Sequence, residues 1–313
     1  MPLTIRTFQS GDEEKQAAIY NAVAGSLPGF KPATVAEVSQ RIRAKDFDPA
    51  SRFYAVVGSD VVGYCTIQAN GRVGYPWSLP GSQAEEPLLA AALDACRARG
   101  MARVFAAYRA DWAAPIAFFE TNGFRKARDV VNFTQNLLDL PTMVIRRGLN
   151  VSPLKLEDLP AVAALAPHVT RISGDRMANY FFANPYFPPE MVFVLRRGDN
   201  SPQGVGILIS KIEYANPLQI DAAAPCFRLG AFGTEELTTK RVNGLFSFLV
   251  RDDADSTPLG LDLLSYALSR LEDDTIEVLA AQVPSDAKHL LSFYQKFFRK
   301  QGSFPVYERE LAG

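Results

Sequence analysis

The chain has 313 residues, of which 48% are hydrophobic, enough for two ordinary domains with separate cores. Lysine and arginine total 33 against 34 acidic residues, and this balance argues against a general nucleic-acid binder, which needs a basic face. No opening stretch has the composition of a secretory signal and no run of about 18 apolar residues occurs, so we expect a cytoplasmic protein that does not associate with membranes.

The N-terminal half opens with a predicted strand, a polar turn and an amphipathic helix over residues 3–23, with Asp12 at the helix N-cap. Two runs of β-branched and aromatic residues around a Gly-Ser-Asp turn then predict a β-hairpin over residues 53–68. An apolar helix, a strand, an aromatic-rich helix and a last strand follow, over residues 86–100, 102–108, 115–124 and 130–138.

The C-terminal half repeats this order. A strand, a turn and a helix are predicted over residues 149–165, with Asp158 at the N-cap, and a hairpin with a longer turn over residues 192–210. A helix, a strand, an aromatic-rich helix and a strand again follow, over residues 258–274, 275–283, 288–298 and 305–311.

Spacing supports a duplication of one domain. Leu88 and Phe119 are 31 residues apart in the first half, and Leu263 and Tyr294 are 31 residues apart in the second. Chance repetition of one short apolar helix is common, but repetition of element order together with equal spacing is not. We therefore expect two α+β domains, each a mixed, mostly antiparallel sheet flanked by helices, over residues 1–140 and 149–313.

The histidines and cysteines do not suggest a metal site. The two histidines, His168 and His289, are too few for a histidine-rich site. The cysteines, at positions 65, 96 and 226, are odd in number and far apart, as expected of reduced and buried side chains rather than disulfides or ligands.

The hairpin FYAVVGSDVVGY, the helix that follows a polar loop, and the ending Gly123-Phe124 together resemble the GNAT superfamily of N-acetyltransferases, once in each half. The resemblance implies an acyl-CoA-dependent N-acyltransferase. Its donor would be acetyl-CoA, and its acceptor an amine of a small molecule or a peptide. In that family a glycine-rich loop at a helix N-terminus holds the pyrophosphate of coenzyme A, because free N–H groups and the helix dipole attract anions there.

The chain departs from the family pattern in both halves. The first loop, over residues 79–87, lacks the glycine pair, and its Glu85 and Glu86 would face the phosphates. Phe119 stands where the family has a tyrosine that protonates the departing thiolate. The second loop, over residues 253–260, has an aspartate and a proline at two of the motif positions but keeps its last glycine.

The resemblance therefore assigns the chemistry to the second half. It implies Tyr294 as general acid, with a backbone N–H at or near Val250 polarising the thioester carbonyl. Glu213, at the end of a predicted strand, and Glu235 or Glu236 in the segment that follows are candidate general bases. The implied coenzyme-binding residues are Leu249, Val250, Arg251, Asp255, Ser256, Thr257, Leu259 and Gly260.

Each assignment has a plainer alternative. Tyr294 can be a packed aromatic residue at the edge of the core, and Glu213 a solvated surface carboxylate. The loop over residues 253–260 can be an ordinary polar turn that leads into a helix. The polar segment 226–244 can be a surface excursion or a lid over the site. The whole chain can be a catalytically inactive protein that kept the fold and binds acyl-CoA or another partner.

Overall fold

The structure is a computed structural model that describes residues 2–43, 47–68, 71–140, 148–167, 174–183, 189–198, 200–210, 244–271 and 277–311. The chain forms two compact units. Unit 1 comprises Met1–Ala127 with Phe304–Gly313, and unit 2 comprises Arg128–Ser303. No helix among the described residues is long and apolar enough to cross a membrane.

Unit 1 contains a four-stranded antiparallel sheet in the order β1-β2-β3-β4. Helices surround this sheet, and a fifth strand, β5, follows α3. The elements are β1 (Leu3–Thr7), α1 (Asp12–Ala24), α2 (Val35–Ile42), β2 (Arg52–Val57), β3 (Asp60–Thr66), β4 (Trp77–Ser78), α3 (Glu85–Ala98), β5 (Arg103–Ala107) and α4 (Ala113–Thr121).

Unit 2 contains a sheet in the order β6-β11-β10-β9-β8-β7, in which only the β10–β11 neighbours are recorded as parallel among the described residues. Its elements are β7 (Val151–Pro153), α5 (Leu159–Leu165), α6 (Gly174–Phe182), β8 (Val192–Arg197), β9 (Ser201–Ile209), β10 (Gly244–Val250), α7 (Ser256–Ser269), β11 (Val278–Pro284) and α8 (Lys288–Phe297). Two long strands are divided between the units: β6 (Arg125–Asn136) belongs to unit 2 from Arg128 onward, and β12 (Arg299–Glu310) belongs to unit 2 up to Ser303. The predicted α+β class with a mixed, mostly antiparallel sheet is confirmed.

Two strands complete the sheets with segments from the opposite half of the sequence. In unit 1, the Val306–Glu310 end of β12 pairs antiparallel with β5. In unit 2, Val130–Asn136 of β6 pairs antiparallel with β11. The two halves of the sequence thus exchange their last strands, whereas the division of the sequence into repeats at residues 140 and 149 stays a prediction.

The central strands of unit 2 are buried on both faces. Every residue of β10 and β11 is buried, which explains why their sequences, GLFSFLV and VLAAQVP, are almost continuous apolar runs rather than alternating patterns. One large apolar cluster joins these strands to α5, α7 and α8. This core fixes the positions of the side chains discussed below.

Asp12 and Asp158 do not cap helices with their side chains, as the sequence had suggested. Asp12 is the first residue of α1, and Asp158 precedes α5 without a side-chain cap bond. Each carboxylate instead accepts the N–H of the residue three positions earlier and two guanidinium hydrogen bonds. The guanidinium belongs to Arg6 in unit 1 and to Arg196 in unit 2.

The Asp158–Arg196 pair is almost closed to solvent, with side chains 6% and 8% exposed. Burial alone would raise the pKa of Asp158, but the hydrogen bonds from Arg196 and from the Lys155 N–H outweigh burial and hold that pKa below its usual value. A pair this well satisfied is stabilising mainly in the sense that removing one partner leaves the other charge buried.

We expect Asp158→Asn to lower the free energy of unfolding by about 3–5 kcal/mol, because Arg196 would then be a buried charge without a counter-charge. Since the folded-state pKa of Asp158 is lowered, its contribution is present above the unfolded-state pKa of about 4 and is lost as the pH falls through the folded-state value. The difference between wild type and variant, measured by urea denaturation, should therefore shrink in acid. Asp94→Asn, which breaks an exposed pair with Arg97, should change stability by less than about 0.5 kcal/mol.

Candidate functional site

The sheet of unit 2 opens between β10 and β11. These parallel strands pair at Gly244–Leu279 and Leu245–Ala280, and among the described residues their pairing ends there. Both strands continue, β10 to Val250 and β11 to Pro284, while each keeps its antiparallel partner on the other side. The strands therefore diverge and leave a cleft within the sheet, with backbone groups along its edges.

Tyr294 lies at the narrow end of this cleft. Its hydroxyl donates to the carbonyl oxygen of Phe246, the first residue of β10 beyond the paired part, at 3.4 Å. The side chain is buried: its ring stacks on Phe133 with centroids 5.6 Å apart and contacts Phe248 at 5.4 Å. The position follows from the sequence of α8, where Leu290, Phe293 and Tyr294 form its buried face.

Backbone donors face the same cleft. Peptide groups alternate in direction along a strand, so the N–H groups of Phe248 and Val250 point to the same side as the Phe246 carbonyl. That side is the one from which Tyr294 reaches β10. The sequence had assigned a carbonyl-polarising N–H to Val250 or its neighbours, and the alternation agrees with Val250 and Phe248 rather than Leu249.

The first turn of α7, where the family binds pyrophosphate, offers few backbone donors. Ser256 N–H donates to the Asp253 carbonyl at 3.1 Å, and Leu259 N–H makes the first helical bond, to Asp255, at 2.9 Å. Pro258 has no N–H. Thr257 is thus the residue of this turn for which no backbone hydrogen bond is recorded among the described residues.

Three aspartate side chains surround the start of α7, and each lies next to an arginine or a histidine. Asp252 lies 3.4 Å from His289, Asp253 lies 3.4 Å from Arg251, and Asp255 lies 3.4 Å from Arg197. Both arginine side chains are half exposed, and Arg251 also donates to Gln203 at 2.6 Å. An incoming phosphate would compete with the aspartates for these two guanidinium groups.

Gly260 lies inside α7 and is buried. A Cβ at this position would lie 2.8 Å from the ring of Phe293 and 3.0 Å from the ring of Phe248. Because Gly260 has no side chain, α7 can approach both α8 and β10. This close approach holds α8, the helix that carries Tyr294, next to the cleft. This contact is a structural reason for the glycine, whereas a role in phosphate binding stays a prediction.

One glycine in each unit makes the same kind of contact, which relates positions of one unit to positions of the other. A Cβ at Gly63 in unit 1 would lie 3.0 Å from Ser78 and 3.1 Å from Leu88. A Cβ at Gly204 in unit 2 would lie 2.8 Å from Val250 and 3.0 Å from Leu263. Each glycine is the direct strand partner of the first residue in its pair. The equal geometry supports the duplication and places Leu263 in the role of Leu88.

Aromatic side chains fill the corresponding place in unit 1. The hydroxyl oxygen of Tyr108 accepts the backbone N–H of Tyr75, and the Tyr108 ring stacks on Trp112 and Phe119, both with centroids 5.9 Å apart. Burial raises the pKa of Tyr108 to about 12, so its hydroxyl stays protonated.

The same positions carry small side chains in unit 2. At the offset of 175 residues that relates Phe119 to Tyr294, Tyr108 corresponds to Val283 and Trp112 to Ala287. At these two positions unit 2 therefore has a valine and an alanine, while the rings that contact Tyr294 are others, such as Phe133 and Phe248. The tyrosine hydroxyl is also moved from the strand to the helix.

Comparison with solved structures identifies the architecture. A GCN5-related N-acetyltransferase from Sphaerobacter thermophilus matches 98% of this chain and 95% of its own with a TM-score of 0.64 at 14% identity. A tandem GNAT protein from the clavulanic acid biosynthesis pathway matches 100% and 99% with a TM-score of 0.53 at 13% identity. A GCN5-related glucosamine N-acetyltransferase region of a fungal multi-domain GH3 beta-N-acetylglucosaminidase matches 98% of this chain and 38% of its own, with a TM-score of 0.65 at 15% identity.

The fold is the GNAT fold. No protein-family model and no curated protein matches the sequence, so the likeness is one of structure. The GNAT fold agrees with the cleft between β10 and β11 and with the order of elements expected from the sequence.

Within the GNAT fold, the sequence-predicted residues fall into three groups. Tyr294 lies at the cleft. Arg251, Asp255, Ser256 and Thr257 lie at the exposed or half-exposed start of α7, whereas the side chains of Leu249, Val250 and Leu259 are buried in the core around it. Glu213, Cys226, His168 and nearly all of segment 226–244 lie outside the described residues. No group of three potential metal ligands occurs among the residues that were placed.

Two features of the site were missed in the sequence. Arg197 ends β8 and meets Asp255 only because β8 and the start of α7 are neighbours in space. Tyr108 was treated as part of an ordinary strand, although the 175-residue offset already aligns it with a valine. Comparing the residues at that offset one by one would have revealed the filled and unfilled versions of the cleft.

We expect Gly260→Ala to destabilise the protein by about 1–3 kcal/mol, because the new methyl group overlaps Phe293 and Phe248. The sign is decisive, since a glycine-to-alanine change inside a helix otherwise stabilises by about 1 kcal/mol. Thermal and urea denaturation measure the change. Ser292→Ala, on the exposed face of α8, is the control and should leave stability within about 0.5 kcal/mol.

Proposed function

We propose that the protein is an acyl-CoA-dependent N-acyltransferase whose reaction takes place in unit 2, with acetyl-CoA as donor and an amine as acceptor. The observation that carries the proposal is the cleft between β10 and β11 with the Tyr294 hydroxyl at its narrow end. The fold alone does not imply the activity, because one fold hosts many functions. The cleft supports it, because it combines the Tyr294 hydroxyl with backbone N–H groups that point to the same side as the Phe246 carbonyl.

The residues at the cleft fit the thioester end of the donor. An acyl-CoA supplies an acyl group activated by its bond to sulfur. The N–H groups of Phe248 or Val250 face the cleft and polarise the acyl carbonyl oxygen, as oxyanion donors do elsewhere. Because these donors belong to a strand buried along its whole length, they are held rigidly and in low dielectric surroundings.

Protons balance through two groups. The amine nitrogen forms the new C–N bond and loses one proton, while the C–S bond breaks and the sulfur takes one proton from the Tyr294 hydroxyl. The tyrosinate regains its proton from the medium. Glu213 remains the proposed acceptor of the amine proton on the basis of the sequence.

The phosphate end of the donor is held differently from the family pattern. Thr257 contributes one backbone N–H, and Ser256 and Thr257 contribute hydroxyl groups at the positive end of the α7 dipole. We assign the main attraction to Arg251 and Arg197, whose guanidinium groups exchange the aspartates for phosphate oxygens. The buried side chains of Leu249 and Leu259 support the cleft from within the core, and Gly260 lets α7 pack closely against Phe293 and Phe248.

Unit 1 has a structural role in this proposal. Its site is filled by Tyr108 and Trp112, and the first turn of α3 carries Glu85 and Glu86. Donor binding there would require the rings to leave and phosphates to approach two carboxylates. The acceptor is an amine, in keeping with the glucosamine named for one structurally similar region, and its identity is open.

A second candidate function is binding of an acyl-CoA or another partner without catalysis. Three aspartates at the start of α7 favour it, because they lower the affinity of that helix end for phosphate. The two following experiments separate the candidates, since only an enzyme releases thiol in a manner that depends on Tyr294.

Replacing Tyr294 by phenylalanine should lower the rate of acyl transfer on the order of 10²-fold, because it removes the proton donor and leaves the ring packing intact. Stability should fall by about 1 kcal/mol for the lost hydrogen bond to Phe246. Thiol release from acetyl-CoA measures the rate. Tyr108→Phe is the matched control: it leaves the Tyr75 N–H unpaired, so it should lose stability and keep the rate. Full activity of the Tyr294 variant would remove the residue from the mechanism.

Arg251→Ala should weaken coenzyme A binding about 10- to 100-fold, since one charge-assisted contact to phosphate is worth about 1.5–3 kcal/mol and each 1.4 kcal/mol is a factor of ten. Asp255→Asn should strengthen binding, because it removes a competing charge from Arg197. Calorimetric titration measures both. Glu86→Gln at the start of α3 is the control for unit 1 and should not change the affinity; loss or gain of affinity in that variant would place the coenzyme in the other unit.

A further inference from the structure

Four polar side chains line the sheet face opposite to Tyr294. The Phe133 ring stacks on Tyr294, so the neighbouring side chains of β6, Asn132 and Thr134, point to the other face. Gln282 on β11 is the direct antiparallel partner of Asn132. Gln301 joins them through a hydrogen bond to Thr134. We call these four residues the amide row.

One atom of the amide row is unsatisfied. Gln282 donates through Nε2 to Oδ1 of Asn132 at 2.8 Å, and Gln301 donates through Nε2 to Oγ1 of Thr134 at 2.7 Å. Gln282 is only 4% exposed, and its Oε1 has no hydrogen-bond partner among the described residues. A buried acceptor without a donor is destabilising, so its presence in an otherwise apolar strand needs a reason.

The position of Gln282 supplies that reason. It lies on β11 beyond Ala280, the last residue paired with β10, and therefore on the edge of the cleft. The contacts of Gly260 with Phe293 and Phe248 place α7 and α8 on the face that carries Tyr294. Under the proposed function, a donor held at α7 and protonated by Tyr294 occupies that face, and the opposite face of the cleft is left for the amine. The amide row lies on this second face.

The chemistry of the amide row defines what it binds. An amide oxygen accepts O–H or N–H groups, and the row contains amides and one hydroxyl but no charged side chain. It therefore favours an uncharged donor group over an ammonium ion. We propose that Gln282 Oε1 accepts a hydrogen bond from a hydroxyl or amide N–H next to the reacting nitrogen, so that the acceptor is a hydroxyl- or amide-bearing amine. This inference rests on the proposed function.

The closed position of this oxygen makes it selective. Because the Oε1 atom is shielded from solvent, the substrate amine must displace the atoms that cover it. The amine does not have to break an existing hydrogen bond of Oε1, because this atom has none among the described residues. A site with a buried polar group of this kind discriminates strongly against analogues that lack the matching donor, because the group is then left unpaired again. An aliphatic amine without a hydroxyl gains no such contact.

The test compares paired amines. Trans-2-aminocyclohexanol and glycinamide are set against cyclohexylamine and propylamine, with thiol release from acetyl-CoA as the first readout. The second readout is the shift in melting temperature caused by each amine, with and without coenzyme A. In the wild type we expect kcat/KM for the hydroxyl- and amide-bearing amines to exceed that of their plain partners at least about tenfold, with larger thermal shifts.

Gln282→Leu keeps nearly the same side-chain volume and removes the hydrogen-bond-accepting oxygen. It should abolish the preference for hydroxyl- and amide-bearing amines and leave the affinity for coenzyme A unchanged. Gln135→Leu is the matched control, because Gln135 lies on β6 but on the Phe133 face, and it should keep the preference. Gln282→Met serves if the leucine variant does not fold.

Either of two results overturns the inference: no preference in the wild type, or a preference that survives in the Gln282 variants. Failure of the proposed function looks different. In that case coenzyme A gives no thermal shift and no amine releases thiol, whereas the amine shifts measured without coenzyme A still report on the amide row.

Discussion

Where two strands of a buried sheet diverge, their backbone groups lose their partners, and the rest of each unit is arranged around that constraint. Unit 1 satisfies it with a side chain: the Tyr108 hydroxyl takes the N–H of Tyr75, and stacked rings fill the remaining space. Unit 2 satisfies it at one carbonyl, that of Phe246, through Tyr294. A tyrosine hydroxyl therefore pairs with the backbone in both units. In unit 1 the tyrosine follows strand β5 and fills the space between the strands, whereas in unit 2 it comes from helix α8 and lies at the end of the cleft.

The carboxylates of Asp12 and Asp158 make the same contacts in the two units. Asp12 and Asp158 hold the turn before the first helix of each repeat in the same way, by accepting an N–H three residues back. Their arginines come from different strands, β1 for Arg6 and β8 for Arg196. The carboxylate geometry is thus the same in both units although the arginine comes from a different strand, as expected if this geometry and not a particular pair of residues stabilises the turn.

The sequence predicted element order and fold class, because hydrophobic periodicity and spacing are local properties of the chain. The role of Tyr294 stays a prediction. The predicted capping role of Asp12 and Asp158 was wrong. An aspartate before a helix looks the same in the sequence whether its carboxylate accepts N–H groups of the following helix or those of the preceding turn. Partners of long range could not be predicted: Arg197 meets Asp255, and Gln282 meets Asn132, across 58 and 150 residues. Such pairs depend on strand register, which one sequence does not encode visibly.

The exchange of last strands has a consequence for biosynthesis. β5 obtains its partner from Val306–Glu310, nearly two hundred residues later in the chain. A nascent chain on the ribosome therefore exposes the edge of β5 until residues 306–310 emerge, although the rest of unit 1 is already synthesised. Arg103 at this edge forms ion pairs with Glu308 and Glu310 once the strand arrives, and its charge discourages pairing with other chains before that moment.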